Sequence, residues 1–138
     1  NEGKIVFLLI ILFFIFIMIF SKFNKEEYNN KIKNYSGKTI GITSSIKNHG
    51  KTSDLRYYFY YKNQRFVSES NENNFSKKDL KKFFNVVFDK KNPENSHIYL
   101  NEEIQPDSIT LTKAGFKYVT YYEHDIPTNT YIKKYKWE

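Results

Sequence analysis

An uninterrupted apolar run near the N-terminus, Ile5 to Phe20, constrains this chain more than any other feature. Its sixteen residues, IVFLLIILFFIFIMIF, include no charge, amide, hydroxyl, glycine or proline. A helix built from them is apolar on every face, so it has no polar side to present to water. Such a helix covers about 24 Å, or about 28 Å with Ser21–Phe23, which is close to the thickness of a thin bilayer. We therefore expect residues 1–23 to form a transmembrane anchor, with Ile5–Phe20 in the lipid.

The residues at the end of the run favour a retained anchor over a cleaved signal peptide. A cleavable signal has an apolar core of about 7–15 residues, followed by small residues at the cleavage site. Here Phe16, Met18 and Phe20 lead into Ser21, and no pair of small residues stands at the cleavage spacing. We expect a single-pass membrane protein.

The lysines on either side of the run bear on the orientation in the membrane. Lys4 precedes it, whereas four lysines follow it: Lys22, Lys25, Lys31 and Lys33. The positive-inside rule then places the rest of the chain in the cytoplasm. Because the sequence begins with Asn1 rather than Met, we leave the side of the membrane open.

The composition after the anchor predicts one small folded domain. The chain has 12 Tyr and 13 Phe, which give large burial per side chain and are uncommon in disordered tails. It has no cysteine, which excludes disulfides, thiol catalysis and cysteine-based zinc sites. The net charge of +7 favours anionic partners, either lipid headgroups or nucleic acid.

Helix-forming residues continue beyond the anchor. Glu27 and Lys31 stand four residues apart, as in a helical ion pair, and Ser36 with Gly37 ends the pattern. We therefore expect residues 24–36 to form a helical juxtamembrane stalk.

Alternation of apolar and polar residues predicts that residues 37–138 form a β-rich domain. Strands are expected over residues 38–46, 55–61, 65–70, 84–88, 97–100, 116–123 and 130–137. Asn63-Gln64 is expected to form a tight turn, residues 71–74 a polar loop, and residues 102–114 an irregular segment. Ser76 and Asp79 predict the capping box of a short helix that continues to about Phe83. The expected fold is mainly β, a small antiparallel barrel or sandwich of about six or seven strands with one short helix.

Three segments of this domain resemble a family of bacterial membrane-anchored domains of unknown function. They are GKTIGITSSIKN from Gly37, RYYFYYKNQRFVSES from Arg56, and VVFDKKNPENSHIYL from Val86. The family pattern has a strand that opens with Gly, a Y-x-Y strand, a returning strand, and an N-P-x-x-S-x-[IL]-x-L element, here Asn92 to Leu100. Lys90 departs from the pattern, since the family often has Pro there. The segments AGFKYVTYYEHD and TYIKKYKWE resemble the tails of flavobacterial members. The resemblance implies architecture and membrane attachment, without an activity.

No arrangement of residues in the sequence indicates catalysis or metal binding. His49, His97 and His124 belong to three separate predicted elements, whereas a zinc site needs converging ligands. The acidic pair Glu102-Glu103 is adjacent in sequence, so its side chains diverge. The chain has no G-x-S-x-G, Walker or H-E-x-x-H motif. We expect a protein that is not an enzyme and has no cofactor and no metal.

Two groups of residues are candidates for an interaction surface. In the strand 55–61 we expect the Leu55 parity to face the core, which turns Arg56, Tyr58, Tyr60 and Lys62 outward. Aromatic and basic residues that alternate in this way could stack on single-stranded nucleic acid, or they could pair across strands. The second group, Lys134, Lys136 and Trp137, suits a membrane interface.

These observations favour a membrane-anchored protein-binding module, or an accessory subunit of a complex in the bacterial inner membrane. Its partners would be the bilayer, through Ile5–Phe20, and another protein. One alternative is an immunity protein that neutralises a bacterial toxin. The least favoured is a membrane-tethered nucleic-acid binder.

The expectation of a retained anchor can be tested on membranes. After an alkaline carbonate wash we expect the protein to stay in the pellet, because about twenty apolar residues hold it in the lipid. Mass spectrometry should find residues 1–23 still attached. A protein that moves to the supernatant without these residues would contradict the anchor.

Overall fold

The computed structural model of the 138-residue chain describes residues 1–70, 72 and 74–138. The chain divides into two compact units, residues 1–35 and residues 36–138. The predicted polar loop at residues 71–74 includes Asn71 and Asn73, which lie outside the described residues.

The first unit is a single long helix, α1, from Glu2 to Lys33. It has no buried residue, and it is long and apolar enough to cross a membrane. The helix passes residue 23 without a break, so one element includes the apolar run and most of the expected stalk. The Glu27 and Lys31 side chains form the expected ion pair at 3.7 Å. The sequence prediction of an N-terminal apolar helix is confirmed.

The second unit is antiparallel β-structure with one short helix. Its elements are β1 Gly37–Asn48, β2 Ser53–Tyr61, β3 Gln64–Ser70, a 3-10 turn Lys77–Asp79, β4 Phe83–Phe88, β5 Ser96–Ile104, α2 Ser108–Lys113, β6 Tyr118–Asp125 and β7 Thr130–Trp137. Strands β1 to β5 form one sheet in the order β3-β2-β1-β4-β5, and β6 and β7 form a separate hairpin. The predicted fold class, mainly β with one long helix and six or seven strands, is confirmed.

One face of the five-stranded sheet holds the larger core. Its buried side chains come from β2, β4 and β5: Tyr57, Phe59, Phe84, Val86, Phe88 and Ile98. The Phe59 and Phe88 rings are 5.2 Å apart. Cα atoms of the edge strands β3 and β5 approach within 8 Å of one another, so the sheet curves around this core. The Leu55 parity of β2 faces inward, as the alternation predicted.

The turn between β2 and β3 is one residue earlier than predicted. Lys62 and Asn63 both have positive φ angles, 49° and 61°, and Tyr61 pairs with Gln64. Two central residues with positive φ are typical of the type I′ turn, whose twist matches that of the strands it joins. Lys62 is therefore part of the turn and not of the strand.

The opposite face of the sheet is also covered. Ile42 and Tyr58 from the sheet form a second core with Leu111 and Phe116. The prediction that residues 102–114 are irregular is wrong, because β5 continues to Ile104 and α2 follows. The Asp107 side chain caps α2 and accepts a hydrogen bond from the Thr110 N–H at 2.7 Å. Conversely, the helix predicted after Ser76 is only a 3-10 turn, although its capping box is present.

Gly115 turns the chain from α2 into the hairpin. Its φ of +98° lies in a region that L side chains rarely adopt. A Cβ atom at this position would also lie 2.6 Å from the Tyr60 Cβ. The close approach places the next residue, Phe116, against Tyr58, Tyr60 and Phe83.

Two contacts connect the segments that carry the family resemblance. The buried Tyr57 hydroxyl lies 2.7 Å from the Ser96 Oγ, so the Y-x-Y strand bonds to the N-P-x-x-S element. A Cβ atom at Gly37 would meet three ring carbons of Phe88 within 2.6 Å. These contacts give a physical reason for a serine and a glycine at those positions.

The Tyr57–Ser96 hydrogen bond can be measured with a double-mutant cycle. We expect Tyr57→Phe and Ser96→Ala each to lower the free energy of unfolding by about 1 kcal/mol, because each removes one hydrogen bond from a buried phenol or its partner. The double variant should lose less than the sum of the two. Denaturant unfolding of the full chain in detergent, with Tyr99→Phe as the control, gives these values. Additive losses would show that the two hydroxyls do not interact.

Candidate functional site

The β6–β7 hairpin carries most of the exposed aromatic side chains of the second unit. Its register pairs Tyr118 with Trp137 and continues without a shift to Asp125 and Thr130. The Asp125 side chain accepts a hydrogen bond from the Thr128 N–H at 3.2 Å, which holds the connecting turn. Paired side chains of an antiparallel ladder lie on the same face, so each face of the hairpin can be assigned from the register.

One face of the hairpin is a row of tyrosines that we call the tyrosine face: Tyr118, Tyr122, Tyr131 and Tyr135. Their exposed fractions are 56%, 65%, 72% and 52%. The Tyr118 and Tyr135 rings stack at 5.4 Å with an interplanar angle of 3°, and the His124 ring lies 5.2 Å from Tyr131. The register gives this face Lys133 and no carboxylate. The surface is therefore aromatic, ordered by ring stacking, and weakly basic.

The other face of the hairpin turns toward the five-stranded sheet. Tyr121 and Lys136 from this face, and Trp137 from the base of the tyrosine face beside Tyr118, line a cavity of about 610 Å³ together with residues of the sheet. From the sheet and the loop before β4 come an apolar floor, Ile42, Tyr58 and Phe83, and two cations, Arg65 and Lys81. Glu138 follows the hairpin and lines the same cavity. We call this cavity the anion pocket, because three of its four charged side chains are cations.

The charges in the anion pocket converge on one carboxylate. Lys136 Nζ lies 2.6 Å from Glu138 Oε1. Its hydrogen bond lowers the pKa of Glu138, and the charges of Lys136, Arg65 and Lys81 lower it further. The same bond raises the pKa of Lys136. Among the residues that the structure describes, these three cations face one carboxylate, so the pocket carries an excess of positive charge.

Two of the three cations lie over aromatic rings. The Arg65 guanidinium carbon lies 4.1 Å from the centre of the Tyr58 ring, and Lys136 Nζ lies 5.4 Å from that of Tyr121. Burial is the main cause that raises the pKa of Tyr58, so its phenol stays neutral. A cation over an aromatic face is attracted by the ring and is also restricted in position.

The structure does not bring the predicted site residues together on one surface. Tyr58 is only 9% exposed, so the prediction that it points into solvent is wrong. Tyr60 is half-buried, because one side of its ring packs against Phe116. The reason is that α2 and Phe116 cover this face of the sheet. Tyr58, Lys136 and Trp137 meet in the anion pocket.

The other predicted residues lie elsewhere. Arg56 donates a hydrogen bond to Glu69 across β2 and β3 at 3.1 Å, and Lys134 forms an ion pair with Glu123 on the hairpin. Lys62 lies in the turn at the mouth of a separate groove, whose lining also includes Lys38, Lys90 and Lys113.

Arg65, Lys81 and the tyrosine face were not among the predicted site residues. Arg65 faces Tyr60 across the observed hairpin of β2 and β3, whereas the predicted turn at Asn63-Gln64 would have paired it with Lys62. The tyrosine face could have been found, because Tyr118 and Tyr122, like Tyr131 and Tyr135, are four residues apart and so lie on one side of a strand.

One group of side chains has the composition of a metal site. The ligand atoms of His49, Asp54 and Glu69 lie within 4.8 Å of one another, and His49 Nε2 is 2.9 Å from Asp54 Oδ2. The Arg56 guanidinium, however, already binds Glu69 and lowers its pKa. A metal ion would have to displace this cation, which weighs against a metal centre here.

Comparison of the chain with protein-family models, with curated proteins and with solved structures gave no significant match.

The surroundings of His97 lower its pKa. The residue lies beside Tyr99, with ring centres 4.8 Å apart, and its Nε2 is 3.9 Å from Glu72 Oε1. Burial lowers the pKa of His97, and the nearby Glu72 charge opposes this only in part. The folded chain therefore takes up the proton at lower pH than the unfolded chain does.

This shift predicts a pH dependence of stability. The contribution of His97 to the free energy of unfolding should fall as the pH drops below about 6.5, because the unfolded state then binds more protons than the folded state, and this contribution should level off below the folded pKa of His97. Thermal melts of the full chain between pH 8 and pH 5 measure this fall. We expect His97→Gln to reduce the fall in stability between pH 8 and pH 5. His124→Gln, on the exposed hairpin, should leave this fall unchanged. Equal slopes in all three proteins would contradict the assignment to His97.

Proposed function

We propose that this chain is a non-enzymatic, single-pass protein of the bacterial inner membrane whose β-rich unit binds another protein through the tyrosine face. The observation that carries the proposal is the tyrosine face itself, four tyrosines on one side of a hairpin, each more than half exposed. Tyrosine offers a large apolar ring and a hydroxyl with little rotamer entropy to lose, which is why it is enriched in protein interfaces.

The charge of the tyrosine face indicates the chemistry of the partner. Its charged side chain is Lys133, which lies 5.6 Å over the Tyr135 ring, and the register places no carboxylate beside it. A partner surface with apolar contacts and an acidic rim would complement it, whereas a basic surface would meet the +7 charge of the chain.

The helix α1 supports the membrane part of the proposal. A span that can remain in the bilayer keeps the β-rich unit near the membrane, so its partner is expected among membrane proteins or among proteins that arrive there. Because the unit is covalently attached to this span, its effective concentration near a partner in the same membrane is higher than that of an unattached domain.

The nucleic-acid alternative loses its main support. It depended on Tyr58 and Tyr60 as an exposed stacking platform, and Phe116 lies against both rings, at 6.2 and 5.2 Å. A base cannot stack on a ring that the protein already covers.

The proposal predicts that partner binding depends on the tyrosine face. We expect the variant Tyr122→Ala/Tyr131→Ala to lose about 2 kcal/mol of binding free energy or more, about thirtyfold in affinity, because these are its two most exposed rings. The tagged full chain is cross-linked in the membranes of the cells that make it, and the proteins captured by wild type and variant are quantified. Ile109→Ala, which removes an equally exposed apolar side chain from α2, is the matched control.

The proposal requires that capture of the partner depends on Tyr122 and Tyr131. A protein captured by wild type and by Ile109→Ala, but not by the double variant, supports the proposal. A resident membrane protein then indicates an accessory subunit, and a toxin domain indicates an immunity protein. Equal capture by the double variant, or binding to protein-free vesicles with the same dependence on the tyrosines, contradicts it.

A further inference from the structure

The anion pocket has the features of a ligand site that is separate from the four rings of the tyrosine face, although Trp137 contacts both. Its volume of about 610 Å³ lies within the usual range for small-molecule sites, and such sites combine apolar walls with a few placed polar groups. Here the walls are Tyr58, Phe83 and Trp137, and the polar groups are the cations Arg65, Lys81 and Lys136.

The backbone around Lys81 is held in an unusual conformation. Lys81 has a positive φ of 59°, which is uncommon for a residue with a long side chain. The buried Thr43 stabilises it: the Lys81 N–H donates to the Thr43 carbonyl oxygen at 2.9 Å, and the Lys82 N–H donates to the Thr43 Oγ1 at 3.2 Å. Lys82 pairs with Glu103 at 3.2 Å, whereas Lys81 lines the pocket. Strained backbone of this kind is often retained where it positions a functional side chain.

Two cations of the pocket, Arg65 and Lys81, differ from Lys136 in their ion pairing. In the part of the chain that the structure describes, neither Arg65 nor Lys81 forms an ion pair within 4 Å, and Glu138 is bound by Lys136. Arg65 is held over Tyr58 and not by an acidic group. Its planar guanidinium can donate two parallel hydrogen bonds to a carboxylate.

We propose that the anion pocket binds a small organic anion, a carboxylate carried on an aromatic or apolar body. The Glu138 carboxylate already lies among the three cations and occupies the position of the ligand's charged group. The ring of the ligand would lie against Tyr58, Phe83 and Trp137, and its carboxylate would reach Arg65 and Lys81. Glu138 is then an internal competitor, which a bound ligand displaces or accompanies.

Trp137 provides a reporter at the site, because it is the one tryptophan of the chain and lines the pocket. The full chain in an uncharged detergent is titrated with sodium benzoate at constant ionic strength, and the Trp137 emission is recorded. We expect a saturable change with a dissociation constant on the order of 1 mM, as is usual for a ligand of this size. Sodium acetate, which lacks the ring, and benzyl alcohol, which lacks the charge, should bind more weakly.

Two variants should change the affinity in opposite directions. Arg65→Gln removes a cation and should weaken benzoate binding about three- to tenfold, as expected for a charge-assisted contact at a partly exposed site. Glu138→Gln removes the competing carboxylate and should strengthen binding by about the same factor. Lys133→Gln also removes one positive charge, but from the tyrosine face, and should leave the affinity unchanged. Opposite effects cannot result from partial unfolding.

Three outcomes would overturn the proposal. The first is a fluorescence change that benzyl alcohol reproduces at the same concentrations, since this would report partition into the detergent. The second is equal benzoate affinity in wild type, Arg65→Gln and Glu138→Gln. The third is a change with Lys133→Gln as large as that with Arg65→Gln, which would show that only the net charge matters.

Discussion

Strand β2 carries aromatic side chains on both of its faces, and the β-rich unit is arranged by the need to cover them. Tyr57 and Phe59 point to one side, and Tyr58 and Tyr60 to the other. A sheet that is apolar on one face needs one covering layer, but this sheet needs two. The first face is covered by the curvature of the sheet itself, and the second by α2 and Phe116. The hydroxyl of the fully buried Tyr57 is satisfied by Ser96, which limits the cost of placing a phenol in the core.

The second covering layer decides where the hairpin lies. Phe116 precedes β6, Trp137 ends β7, and both pack into the core beneath α2. The base of the hairpin is therefore attached to the sheet at its two ends. Beyond this base the tyrosine face is left without a covering element, while the opposite face borders the anion pocket. The positions of the tyrosine face and the anion pocket therefore both depend on the packing of Phe116 and Trp137 into the second core.

Much of the local structure could be predicted from the sequence. The apolar run is recognised by its uniform composition, and the alternating strands, including those of the C-terminal hairpin, by their local period, and the structure has each of them. The helix α2 could not be predicted, because it is only six residues long and buries one side chain, Leu111. So short an element has no repeating apolar pattern to detect. The capping box at Ser76 was correctly identified, but the segment after it lacks the length for a full helix.

The sequence alone determined that the chain has a long apolar helix and a β-rich unit of about six or seven strands, since both depend on the spacing of neighbouring residues. Only the tertiary structure decided which aromatic side chains are exposed. Alternation shows that Tyr58 and Tyr60 point away from Tyr57, but whether Phe116 covers them depends on residues about sixty positions later in the chain. The anion pocket has the same origin, because folding brings together Arg65, Lys81 and Lys136 from three distant segments. Local spacing sets the direction of a side chain, whereas contacts between distant segments set what that side chain meets.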